Sequence, residues 1–172
     1  LFVGTVGLRK GNHYLAEASR LLRARGVPCE VRVVGPFDPK VVARPEFAGP
    51  TYVGQVPREV VRAEFARADV FTMPSLAESF AIAHLEAFAC GLPVVTTPNC
   101  GSQVRDGESG FIVPIRDARA LADRLETLVT DRELRSRMSR NAVQRATELT
   151  WDRFGAQLLA ETQEAMKLAA TR

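Results

Sequence analysis

Six short β-rich apolar runs, separated by segments of helical periodicity, set the rhythm of this 172-residue chain. The runs are Leu1 to Val3, Val31 to Val34, Thr51 to Val53, Val70 to Met73, Val94 to Thr97 and Phe111 to Val113. Between them, apolar residues recur at helical spacing, as in Leu15, Ala18 and Leu22, then Val61, Phe65 and Ala68, then Leu121, Leu125 and Leu128. Gly26 and Gly91 stand where a left-handed C-terminal cap ends a helix, and Pro28 and Pro93 discourage continuation. Strand, helix, strand repetition predicts an α/β fold, a parallel sheet of about six strands with helices on both faces. After Val113 only helical patterns follow, with Asp117, Asp131 and Thr150 placed as N-caps. The last helix carries Trp151, Phe154, Leu158 and Ala165 on one stripe, and Trp151 is expected to anchor it. No internal repeat, low-complexity tract or linker interrupts the pattern, so the chain reads as one domain, residues 1–172, with a helical tail.

Composition excludes several classes. With 46% hydrophobic and 25% charged residues the chain can bury a sizeable core. Its longest apolar stretch, Ala81 to Val95, is broken by His84, Glu86, Gly91 and Pro93, so no bilayer-spanning helix is expected. The formal charge of +3 is carried by arginines scattered along helices, which argues against nucleic acid and leaves room for a small anionic ligand. Cys29, Cys90 and Cys100 lack metal-ligand spacing and read as small core residues, and with only two histidines no structural zinc site is expected. This cysteine usage suits a reducing cytoplasm. Leu1-Phe2-Val3-Gly4 reads as a strand rather than a charged leader, and the chain is expected to be a piece of something longer.

In open parallel sheets, ligands bind outside the carboxyl ends of the strands. The first such loop, Gly4-Thr5-Val6-Gly7-Leu8-Arg9-Lys10-Gly11, combines glycines with adjacent cations ahead of a helix. It fits an ordinary strand-to-helix turn, or a turn whose backbone approaches a phosphate that Lys10 neutralises. The segment from Pro74 to Pro93 is more informative. It predicts a helix from Ser79 onward that is apolar nearly all round and packed inside the domain, with Glu86 buried within it. A buried carboxylate without partners is costly, so Glu86 implies either a structural hydrogen bond or a pair of ligand hydroxyls. Just before the helix, either Glu78 or Ser79 simply caps it, or Glu78 flanks an anion seated on the first-turn N–H groups. The two carboxylates would then lie roughly 10 Å apart at a rise of ~1.5 Å per residue, a span suited to the sugar and ribose ends of one nucleotide sugar. His84 reads as a satisfied core histidine and His13 as an exposed one.

The stretch Pro74-Ser75-x-x-Glu78-x-Phe80-Ala81, followed by Leu85-Glu86-Ala87 and Gly91-x-Pro93-Val94-Val95, resembles the signature of retaining glycosyltransferase family four, including its Glu-x7-Glu pair. Val53-Gly54-Gln55-Val56, Arg105-Asp106-Gly107, Gly110 to Pro114 and Thr150-Trp151 extend the resemblance over essentially the whole chain. The resemblance implies one Rossmann-like half of a GT-B fold, the C-terminal one, with an N-terminal acceptor domain missing from the chain. It implies that Glu78 holds sugar hydroxyls, Glu86 the ribose, and Lys10 the diphosphate, with Gly4 and Arg9 in the same loop. The backbone of Ser79, Phe80, Ala81 and Ile82 would hold the distal phosphate and sugar, and Gln55 and Val56 would lie against the nucleobase. Glu78 and Lys10 are the candidate catalytic residues. The implied activity is retaining hexosyl or related transfer in glycan biosynthesis, with no metal and no cofactor, the isolated half being inactive. The acceptor would be chosen by the missing half, which would also provide any peripheral membrane contact.

Three departures from the pattern stand out. Ala81 replaces a common glycine, and its methyl group is expected to narrow the approach to the backbone. Thr5 replaces a common arginine, removing one diphosphate cation unless Arg9 substitutes for it. Gly101-Ser102-Gln103 lacks the usual acidic residue, so Gln103 receives no role. Ala81 and Thr5 favour a second reading, a non-catalytic nucleotide-sugar-binding module. A third, an epimerase on the same architecture, would need acid/base residues in the cleft, for which His84 is a poor candidate.

Overall fold

A computed structural model describes residues 1–101 and 103–170, so Ser102 of the departing loop lies outside the described residues. Six strands occur where the apolar runs predict them: β1 (Phe2–Val3), β2 (Arg32–Val34), β3 (Thr51–Gly54), β4 (Phe71–Met73), β5 (Val94–Thr96) and β6 (Gly110–Ile112). They form two parallel three-stranded ladders, β1-β2-β3 and β4-β5-β6. Two backbone hydrogen bonds join the ladders, Leu1 N to Val70 O and Thr72 N to Leu1 O, each 2.8 Å. The spatial order is therefore 3-2-1-4-5-6, the doubly wound order, whose switch point lies between β1 and β4.

Seven α-helices alternate with and follow the strands among the described residues: α1 (Asn12–Ala24), α2 (Pro39–Val42), α3 (Arg58–Arg67), α4 (Ile82–Ala89), α5 (Ala118–Thr130), α6 (Arg132–Glu148) and α7 (Trp151–Ala170). α1 packs against α5 and α4 against α6, and the helices cover both faces of the sheet. Between them and the sheet, Phe2, Phe71, Phe88, Leu15, Leu22, Leu121 and Leu128 are fully buried. Full burial of each such side chain contributes about 1.5–3 kcal/mol, which is what the β-rich runs and helical stripes supply to folding.

The local signals act as read. Gly26 and Gly91 both adopt φ +72° after α1 and α4. Asp117 and Asp131 accept hydrogen bonds of 2.8 Å from Ala120 N and Leu134 N. On the far side of the sheet from the strand C-termini, the guanidinium of Arg32 in β2 makes a two-point contact with Glu64 of α3, at 2.8 and 2.7 Å. That contact holds the Glu64 carboxyl below the usual carboxylate range, against a burial that opposes it.

Three expectations are corrected. Trp151 does not anchor α7: it is 78% exposed, with the Phe154 ring edge-on at 6.1 Å, and the whole apolar stripe of α7 faces outward. An amphipathic stripe signals a face able to pack, and among the described residues this one stays exposed along its length. Cys29 and Cys90 are exposed rather than core residues, because one precedes β2 in a loop and the other follows the last turn of α4; Cys100 alone of the three is buried. His13 is half-buried rather than exposed, with its ring 3.9 Å from that of Tyr14.

Candidate functional site

The switch point between β1 and β4 brings two loops together. Gly11, the N-cap of α1 at φ +69°, sits so close to the β4–α4 loop that a Cβ there would lie 1.9 Å from Pro74 O. Only glycine allows that approach, and it adopts the left-handed conformation without strain. Leu76 N donates to Arg9 O at 2.8 Å, and Arg9 Nη1 donates to Ala77 O at 2.9 Å, so the loops are stitched along their length. Gly7 N donates to Asn12 Oδ1 at 2.9 Å and fixes the turn into α1.

The β4–α4 loop is held on its other side by the segment after β5. Thr97 Oγ1 donates to Ser75 O at 2.5 Å, Asn99 Nδ2 to Leu76 O at 3.0 Å, and Glu78 N to Asn99 O at 2.8 Å. Gly101, at φ +49°, lies against Ser79, where a Cβ would stand 1.7 Å from Ser79 O. Sequence reading missed this clamp, because most of its contacts are to the main chain and leave no residue pattern.

Within the clamp, Lys10 Nζ and Arg9 Nη1, the latter at 3.3 Å, both meet Oε2 of Glu78. The Lys10 hydrogen bond holds the Glu78 carboxyl below the usual carboxylate range, with Arg9 and the N–H of Ser79 acting in the same direction. Arg9 thus supplies a second cation, where Thr5 supplies none. Beneath them His84 is buried, and that burial, aided by Lys10, pushes its pKa down to about 4, so the ring is neutral near pH 7. Its Nε2 lies 3.9 Å from Cys100 Sγ, whose thiol burial pushes up. His84 is the core histidine that the sequence suggests.

The helix after the loop differs from expectation in three respects. α4 begins at Ile82 with Ala81 as its N-cap and no side-chain cap, so neither Glu78 nor Ser79 caps it. Glu78 is engaged by cations 68 and 69 residues away, a long-range contact that local propensity cannot register. Glu86 is exposed, not buried: Ile82, Glu86, Ala89 and Cys90 form an open stripe along α4, while His84, Ala87 and Phe88 face the core. Ala81 is 6% exposed and belongs to the core cluster, so its methyl group does not stand on that open stripe.

Gln55 and Val56 follow β3, two strands along the same sheet edge, the first exposed and the second half-buried. Three glycines line this edge. Gly35 N donates to Gly54 O at 2.9 Å, and a Cβ on Gly35 would lie 2.2 Å from Gly4 O. Gly4, Arg9 and Lys10 thus lie in the loop after β1, Glu78 to Ala81 in the loop after β4, Ile82 at the start of α4 and Glu86 one turn into it, with Gln55 and Val56 in the loop after β3. At the opposite end of the sheet, a cavity of about 420 Å³ is lined by Leu1, Cys29, Arg32, Glu64, Asp69 and Arg135 among others. Its charges already pair, Arg32 with Glu64 and Arg135 with Asp69 at 3.8 Å. Among the described residues no three His, Cys, Asp or Glu side chains form a metal-ligand set, and no helix is long and apolar enough to cross a membrane.

The family model of the group 1 glycosyl transferases matches residues 1–145. The D-inositol 3-phosphate glycosyltransferase of Corynebacterium urealyticum is 34% identical over 92% of this chain and 41% of its own length. The sucrose-phosphate synthase of Thermosynechococcus elongatus superposes with a TM-score of 0.73 at 28% identity, over 99% of this chain and 46% of that one. Anabaena HepE, solved in complex with UDP-glucose, shares the fold with a TM-score of 0.73 at 22% identity, over 95% of this chain and 48% of that one. The chain spans about two fifths of the length of the curated relatives it matches. Its sheet and flanking helices are one half of a GT-B fold. By sequence and by fold, the chain belongs to the group 1 glycosyl transferases.

Proposed function

We propose that this chain is the C-terminal, donor-binding half of a retaining, metal-independent glycosyltransferase that takes a nucleotide-diphosphate sugar. The observation that carries the reading is the meeting of Lys10 and Arg9 with Glu78 at the switch point, beside an open helix stripe bearing Glu86. Two cations and the N-terminus of α4 suit a diphosphate, and the two carboxylates suit hydroxyls at either end of the donor. As the glycosidic bond breaks, the leaving nucleoside diphosphate gains negative charge. Lys10, Arg9 and the α4 N–H groups stabilise that charge most in the transition state, which is the task a metal ion performs elsewhere.

Glu86 would accept the ribose hydroxyls, and Gln55 with Val56 would border the base. Support for nucleotide-sugar binding also comes from HepE, the fold neighbour solved with UDP-glucose. Placement in family four and retention of configuration rest on the Glu78-x7-Glu86 pattern. An N-terminal half would choose the acceptor and complete the active site, and free thiols on Cys29, Cys90 and Cys100 fit a cytoplasmic setting.

Calorimetric titration with UDP-, GDP- and ADP-sugars in the presence of EDTA tests the reading. One nucleotide series should bind, and Glu86→Ala should weaken it about tenfold, the effect of losing a hydrogen-bonded charged acceptor. Equal affinity in the variant, or binding that appears only with a divalent cation, would overturn it.

A further inference from the structure

The anion-binding corner already contains an anion of its own. Lys10 and Arg9 converge on one oxygen of Glu78, so the cations suited to a diphosphate and the carboxylate suited to a sugar occupy each other. The Lys10 and Glu78 side chains are only 18% and 12% exposed, which makes the contact stronger than a solvated surface pair; Arg9, at 62%, contributes less.

We propose that Glu78 is a built-in competitor for the diphosphate, and that the site thereby selects nucleotide sugars over nucleoside diphosphates. This rests on the donor-site reading and deepens it. A bound diphosphate takes Lys10 and Arg9 away from Glu78. If the ligand carries its sugar, the released carboxylate accepts sugar hydroxyls and remains satisfied. If it does not, a largely covered carboxylate is left beside the diphosphate with the N–H of Ser79 as its remaining partner, and like charges face each other.

Among the described residues, Lys10 and Arg9 are the cations acting on Glu78, so no substitute countercharge stands beside it. The other titratable groups facing Glu78 are His84 of α4, neutral with a pKa of about 4, and Cys100, whose thiol burial keeps protonated. The exchange needs side-chain rotation alone, because the Glu78 backbone is bonded to Asn99 O and hemmed by Gly101. The same competition acts after transfer. Once the sugar has left, Glu78 reclaims Lys10 and favours release of the nucleoside diphosphate.

The test is calorimetric titration of the chain and its Glu78→Gln variant with UDP, GDP and ADP and with UDP-glucose, GDP-mannose and ADP-glucose. For the recognised base, the unsubstituted chain should prefer the sugar form. Glu78→Gln should tighten the nucleoside diphosphate about fivefold and leave the sugar form unchanged or weaker, so that the preference collapses. Glu78→Ala should act in the same direction, and thermal unfolding of both variants checks that the fold persists. If nucleotides bind but Glu78→Gln weakens the diphosphate, or shifts both ligands equally, the competitor role fails while the donor site stands. If no nucleotide binds the unsubstituted chain, the donor-site reading and the competitor role fail together.

Discussion

Gly11→Ala is expected to destabilise the fold by roughly 3 kcal/mol or more and to abolish the proposed nucleotide binding. The backbone at Gly11 has φ +69°, where an L side chain alone costs about 1 kcal/mol. The larger part is steric. The new Cβ would stand 1.9 Å from Pro74 O and 2.8 Å from Pro74 C, and both are backbone atoms that no rotamer change can move aside. Relief requires the β1–α1 loop to withdraw from the β4–α4 loop, which breaks the hydrogen bond from Leu76 N to Arg9 O and carries Lys10 away from Glu78. Gly7 provides the control within the same loop, since a Cβ there meets nothing within 4 Å. Gly7→Ala should change stability by less than about 0.5 kcal/mol. Urea unfolding of the two variants measures both values, and equal effects would contradict the close approach.

The second large effect lies at the other end of the sheet. Arg32→Ala should cost about 3–5 kcal/mol, because it strands the Glu64 carboxylate, whose side chain is 6% exposed. Arg67, 3.6 Å from Glu64 and 58% exposed, is a weak replacement. The pair also predicts a pH signature. Glu64 has a folded-state pKa below its ordinary value of about 4.5, so its contribution is fully present above that pH. The contribution is lost as pH falls through the lowered folded value, where the carboxyl takes up a proton and releases Arg32. Unfolding free energies measured from pH 7 downward should therefore fall in acid for the unsubstituted chain. The Arg32→Ala curve should start lower and be flatter below about pH 4.5, and parallel curves would show that the pair contributes nothing.

Why some of this was legible in the sequence, and some not, follows from the range of the forces involved. Strands such as Val94–Thr96 are continuous apolar runs because both sheet faces are covered, and Asp117, Asp131, Gly26 and Gly91 act within a turn of their own positions. Those signals are local, and they placed every strand. The start of α4 was misplaced because Glu78 is drawn off by Lys10 and Arg9, partners from a distant loop. Glu86 seemed buried because α4 is rich in apolar residues on its open stripe as well as on its core face, with Ile82 55% exposed. Periodicity cannot distinguish a stripe turned toward the core from one turned outward, and the same ambiguity made Trp151 look like an anchor. The clamp of Thr97, Asn99 and Gly101 was invisible for another reason: its partners are carbonyl and amide groups that every residue possesses.

The most direct measurement is a crystal structure of this chain soaked with the nucleotide sugar that titration selects as its proposed ligand. The account predicts the diphosphate beside Lys10, Arg9 and the first N–H groups of α4, the ribose at Glu86, and the Glu78 carboxylate turned from Lys10 to the sugar hydroxyls. A nucleotide found in the cavity lined by Cys29, Arg32 and Arg135 at the opposite end of the sheet, with Lys10 still bound to Glu78, would contradict it.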